Sequence, residues 1–198
     1  MLIKVGTVLI AALMALSCLA TLTGISGLAL FTDQNANTGN IFTTAASFPI
    51  ASDDFESGGW SGGVGWLWGW GNSGSAAVTS AGGPYEGGYH LQLMSDDGYV
   101  DRALDLSGHS DVHLQFWAKV DSFETVDSID CVVTSDGTPH LVRRWTDAHS
   151  DNTYHFVDID LSSYTMSSVF YVSFDAQMSG SDDYFYVDDL VFREVPPP

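Results

Sequence analysis

The sequence predicts an all-β protein: an antiparallel β-sandwich that follows an N-terminal hydrophobic signal helix. Three observations lead there. From residue 51 onward no long segment carries a helical period. Short runs of alternating apolar and polar residues recur instead, among them "YHLQLMS" (89–95), "VHLQFWAKV" (112–120), "SIDCVVTS" (128–135) and "VFYVSFDAQM" (169–178). Turn residues separate them, as in Asp96-Asp97-Gly98, Ser135-Asp136-Gly137 and Ser179-Gly180-Ser181.

In chain order, residues 1–29 come first. The stretch "VGTVLIAALMALSCLATLTGISGLAL" (5–30) holds no charge and follows Lys4, the layout of a secretory signal. A cut before Leu30 places Gly27 and Ala29 at −3 and −1. The apolar run is also long enough to span a bilayer, so the segment is either a cleaved signal peptide or an anchor. Residues 30–50 are polar with short β-prone ends, which suits an extended N-terminal arm.

The sandwich is expected over residues 51–193. Its remaining strands are "YVDRALDL" (99–106), "HLVRRWTD" (140–147), "YHFVDIDLS" (154–162) and "YFYVDDLVF" (184–192). Eight to ten strands at this spacing, without helices between them, suit two packed antiparallel sheets. The Pro-rich residues 194–198 form a tail.

Composition excludes some functions. The 198 residues carry 25 acidic against 6 basic side chains, so nothing could neutralise the phosphates of a nucleic acid. Past a signal cut only Cys131 remains, alternating with Ile129 and Val133 on one strand face as a buried thiol. The histidines show no zinc spacing of the HExxH kind, and no G-x-S-x-G elbow singles out a serine, so an enzyme is not expected.

Two resemblances follow from quoted residues. "ALFTDQNANTGNIFTTA" (29–45) resembles the junction of SipW-type signal peptidase substrates, the TasA/camelysin group of surface fibre proteins, through Phe31, Thr32, Asp33, Thr38, Gly39, Asn40 and Phe42. It implies export past a signal peptidase and, as one reading, assembly with copies of itself in a fibre or biofilm matrix by donation of the N-terminal strand. The second rests on "DDFESGGW" (53–60), "GGYHLQL" (87–93), "DLSGHSDVHLQFWAKV" (105–120) and "DDYFYVDDLVF" (182–192). These resemble jelly-roll carbohydrate-binding modules and galactose-binding-like relatives, and "VVTSDGTPHLVRRW" is similar to adhesin and MAM-type sandwiches. This resemblance implies a secreted or cell-surface, non-catalytic adhesin or binding module with a glycan or polysaccharide partner. It also implies a structural Ca2+ where the first and last strands meet, at Glu56, Asp188 and Asp189, with Asp54 adding a carboxylate.

Candidate ligand-facing residues come from strand alternation. In "VHLQFWAKV" the residues Val112, Leu114, Phe116, Ala118 and Val120 share the core side, which turns Trp117 outward. Tyr171 likewise alternates with Phe170, Val172 and Phe174. Trp145, beside Arg143 and Arg144, completes the expected sugar-binding set, since rings stack on sugars and guanidinium groups bond hydroxyl pairs. In "GGWSGGVGWLWGWGNSG" (58–74), Trp66, Trp68 and Trp70 share a face if the stretch is a strand. They are either packed core or a ligand-facing platform, with Trp68 taken as a binding candidate and Trp60 as core.

Overall fold

A computed structural model describes residues 49–95 and 97–195. The signal or anchor segment, the SipW-type junction, nearly all of the 30–50 arm and Pro196–Pro198 lie outside the described residues. Among the described residues there are eleven strands: β1 (Ala51–Asp53), β2 (Gly71–Ser73), β3 (Ala76–Thr79), β4 (His90–Met94), β5 (Tyr99–Leu104) and β6 (Val112–Asp121). They continue with β7 (Ser128–Ser135), β8 (Thr138–Thr146), β9 (His155–Asp160), β10 (Phe170–Gln177) and β11 (Tyr184–Glu194). A single 3-10 turn, Asp147–His149, interrupts them.

The strands form two antiparallel sheets. The first runs β3-β4-β11-β6-β9, with β1 also paired to β11; the second runs β2-β5-β10-β7-β8. The four-strand centres, β4-β11-β6-β9 and β5-β10-β7-β8, draw their members almost alternately along the chain, which is jelly-roll connectivity. The first and last described strands, β1 and β11, lie side by side, Ala51 opposite Phe192 and Asp53 opposite Leu190.

Alternation builds the core. In β7 every second residue is buried, so Ile129, Cys131 and Val133 face the opposite sheet. Phe116, Phe170, Phe174, Phe185 and Phe192 are fully buried between the layers. Phe116 meets Phe174 edge-on at 5.5 Å, the geometry that ring quadrupoles favour. Cys131 lies within this apolar layer, and burial pushes its thiol far up, so it stays protonated.

The Trp-rich stretch is not a strand carrying three rings on one face. Trp66 makes only an isolated bridge to Leu104, and β2 starts after Trp70. Trp70 is buried, Trp66 and Trp60 pack against the core, and Trp68 is half exposed. The Trp66 and Trp70 rings gather around a buried ion pair between Arg102 Nη1 and Asp53 Oδ2, 2.5 Å apart. Trp70 Nε1 donates to the same Asp53 oxygen at 2.9 Å, and the Arg102 guanidinium lies 4.6 Å from the Trp66 ring. Indole N–H groups and flat ring faces satisfy a charge pair that aliphatic side chains would leave stranded. Gly65 permits the fold-back: its φ is +81°, and a Cβ there would stand 2.0 Å from the Ile50 carbonyl oxygen.

Candidate functional site

On the outward side of the first sheet, alternation breaks down in an informative way. His90 and Gln92 of β4, Lys119 of β6 and Tyr186 and Asp188 of β11 point away from the core, yet all are buried. Residues 80–89 cover them. His90 Nε2 donates to the Ala81 carbonyl at 2.6 Å, and its Nδ1 accepts the Tyr154 hydroxyl. The Lys119 ammonium donates to the Gly82 and Gly83 carbonyls and lies 4.4 Å from the Tyr186 ring. Gly82 lies so close to Tyr186 that a Cβ would be 2.5 Å from the phenol oxygen.

Two acids clamp the far end of this loop. Asp188 Oδ2 accepts the backbone N–H groups of Tyr85 and Glu86 at 2.9 and 3.3 Å. Glu56 accepts those of Gly88 and Tyr89, each at 2.9 Å. Burial raises the Asp188 carboxyl to about 6 against those stabilising bonds, and burial lowers His90 to about 4.

Beyond the covering loop the same sheet face lies open. A groove of about 650 Å³ crosses β1, β11, β6 and β9. Trp117 and Phe156 supply its aromatic lining, while Gln115, Asp189, Arg193 and Asp54 supply its polar groups. Trp117 is held in place on one side by Tyr85, stacked at 3.9 Å with 14° between the planes. Phe156, its partner across the β6–β9 pair, tilts towards it at 5.5 Å and is 53% exposed. A bulge in β11 between Asp188 and Val191 places Asp189, at φ +48°, on the groove side. Burial raises the Asp189 carboxyl, and the negative charges of Glu86, Asp54 and Glu56 raise it further. Arg193 also lines the groove, and among the described residues its Nε is buried without a hydrogen-bond partner.

The five expected ligand residues occupy different parts of the molecule. Trp117 lines the groove. Trp68 and Tyr171 meet at 6.3 Å on the outward side of the other sheet. Trp145 does not face outward: it is 4% exposed and packs on Phe116 and Phe185. The reason is a bulge in β8. Cys131 pairs with Arg143 and Val132 with Leu141, so Val142 is an extra residue and every later side chain changes sides. Arg144 thereby reaches Asp130 on the outward face, and Trp145 turns in opposite Ile129. Arg143 lies over the Trp145 ring at 5.7 Å, in a cleft of about 330 Å³ at the sandwich edge that also includes Phe156.

The acids expected to hold calcium occupy one region, but Glu56 and Asp188 already serve as acceptors for the covering loop. Among the described residues, the carboxylates that bring oxygens within 4.8 Å of one another are Glu124, Asp127 and Asp183. Sequence reasoning missed Phe156, Gln115, Asp189 as a groove residue, and Arg193. For Phe156 the signal was present: in "HFVDID" it alternates with Val157 and Ile159.

No family model matches the sequence, and no curated protein matches it. Solved structures share the fold. The N-terminal CBM22-1–CBM22-2 tandem domain of Paenibacillus barcinonensis Xyn10C aligns with a TM-score of 0.55 at 17% identity, over 79% of this chain and 49% of that one. TmCBM61 in complex with β-1,4-galactotriose gives 0.52 at 16%, over 71% and 94%. The K2 cleaved adhesin domain of Lys-gingipain gives 0.50 at 14%, over 71% and 97%. The chain is thus a β-sandwich of the kind found in carbohydrate-binding modules and adhesin domains.

Proposed function

We propose that this domain binds a polysaccharide, without cleaving it, along the groove on the outward face of the β3-β4-β11-β6-β9 sheet. The observation that carries the reading is the groove's composition. Trp117 and Phe156 present apolar rings to a channel that is also lined by Gln115, Asp189 and Arg193. Sugars offer C–H faces to rings and hydroxyls to such donors and acceptors, so a row of both along an open channel suits a chain rather than a single sugar. Tyr85 and the loop clamped by Asp188 and Glu56 fix the Trp117 ring before ligand arrives, which lowers the ordering cost of binding. The fold shared with the galactotriose-bound module and with xylan-binding domains supports the same reading. The signal-like segment at residues 5–30 adds an extracellular setting, where such polymers occur.

Titration calorimetry of the full chain against soluble β-1,4-xylan and β-1,4-galactan tests it. Weak binding is expected, reduced at least about tenfold in Trp117→Ala and in Phe156→Ala, each removing one stacking ring. Tyr171→Ala, on the opposite sheet, should leave affinity unchanged. Loss of binding in Tyr171→Ala but not in Trp117→Ala would reject the groove, and no binding of any glycan by folded protein would reject the function.

A further inference from the structure

We infer that the end of the sandwich holds a second kind of site, a divalent-cation site for Ca2+ built by Glu124, Asp127 and Asp183. Asp127 and Glu124 belong to the β6–β7 connection, and Asp183 to the β10–β11 connection. Both connections pass between the two sheets. One carboxylate oxygen from each residue lies within 4.8 Å of the other two. Three acids converging this closely repel one another unless a cation or a shared proton neutralises them.

An independent observation points to the ion. Asp183 is fully buried, and among the described residues its Oδ1 has no hydrogen-bond partner. A buried carboxylate oxygen without a donor is costly, and a metal ion is one way to satisfy it. Among the described residues no Arg or Lys does so, their ion pairs being Arg102–Asp53 and Arg144–Asp130. The remaining oxygens are already held in position. Asp127 accepts the Glu124 and Ser179 backbone N–H groups, each at 2.6 Å, and Asp183 Oδ2 accepts that of Gly180 at 2.6 Å. These bonds hold the two loops that bring the three carboxylates together.

The donor set selects the ion. All three side chains are hard carboxylates, no His or Cys among the described residues joins them, and Glu124 is exposed so that water can complete the shell. Ca2+ accepts six to eight such oxygens in irregular geometry, whereas Mg2+ demands a tight octahedron and Zn2+ prefers nitrogen and sulfur. The bound ion would tie the two inter-sheet connections together at one end of the sandwich. This site is distinct from the one expected at Asp54, Glu56, Asp188 and Asp189.

The test uses the full chain, stripped with EDTA and titrated with CaCl2, with MgCl2 as control. Calorimetry counts ions, and thermal unfolding reads stabilisation. One Ca2+ should bind in preference to Mg2+ and raise the melting temperature on the order of 5 °C at calcium a hundredfold above Kd. Glu124→Gln, at an exposed position that folding does not need, should weaken Ca2+ at least about tenfold. Asp183→Asn should abolish binding. The inference is overturned if the stripped, folded protein binds no Ca2+. It is equally overturned if Ca2+ affinity is unchanged in Glu124→Gln and is lost in Glu56→Gln, which would move the ion to the other acids.

Discussion

His90 offers a quantitative test of how the covering loop is held. Its ring is fully buried beneath residues 80–89, with Nε2 on the Ala81 carbonyl, Nδ1 on the Tyr154 hydroxyl, and the Tyr186 ring stacked at 4.6 Å. Burial is the main reason that its pKa falls from 6.5 to about 4; the Ala81 carbonyl opposes the fall and the Lys119 charge adds to it. The unfolded chain therefore takes up a proton near pH 6.5 that the folded domain refuses until about pH 4. Stability from this group is complete above pH 6.5 and is lost as the pH falls, at roughly 1.4 kcal/mol per pH unit. By about pH 4.5 the loss is about 2–3 kcal/mol.

Asp188 acts in the opposite sense. Burial raises its carboxyl from 3.8 to about 6, so the folded domain binds the extra proton and gains stability as the pH falls from 6 towards 3.8. The two groups face each other's window, and only single variants separate them. His90→Gln keeps an amide donor and acceptor but cannot titrate. Urea unfolding of wild type and His90→Gln, followed by tryptophan fluorescence near pH 7 and near pH 4.5, cancels every carboxylate that the two share. Relative to wild type, His90→Gln should gain about 2–3 kcal/mol on going to the lower pH. Asp188→Asn should lose a comparable amount by the same comparison. Parallel pH profiles for wild type and His90→Gln would refute the buried, neutral histidine and with it the account of the loop's anchorage.

Two further outcomes follow from the core. Trp145→Ala should cost about 3–5 kcal/mol in urea unfolding, because it empties the space between Phe116 and Phe185, while glycan affinity of the folded variant stays unchanged. Arg102→Met should cost about 3–5 kcal/mol by leaving Asp53 charged and buried, and adding Asp53→Asn should recover part of that loss; equal stability of the single and double variants would count against a charge-driven effect.

The sequence by itself determined the eight strands from β4 to β11, the two-sheet sandwich and the side on which most of their residues fall. Alternation is a local property with period two, so "VHLQFWAKV" already turns Trp117 outward and "VFYVSFDAQM" already buries Phe170, Val172 and Phe174. Only the tertiary structure decided which outward faces belong together. Trp117 and Tyr171 both point away from the core, but pairing puts them on opposite sheets, so they cannot share a ligand. The extra residue at Val142 reversed Trp145, because a bulge depends on the partner strand and leaves no mark in the pattern of "HLVRRWTD". The covering loop buried His90, Gln92 and Lys119 on a face that alternation assigns to solvent. The carboxylates most closely gathered, Glu124, Asp127 and Asp183, lie more than fifty residues apart at their extremes and meet only because two inter-sheet connections end at the same edge. Periodicity fixes a residue's direction relative to its own strand; register, bulges and loops folded across a sheet decide what it meets.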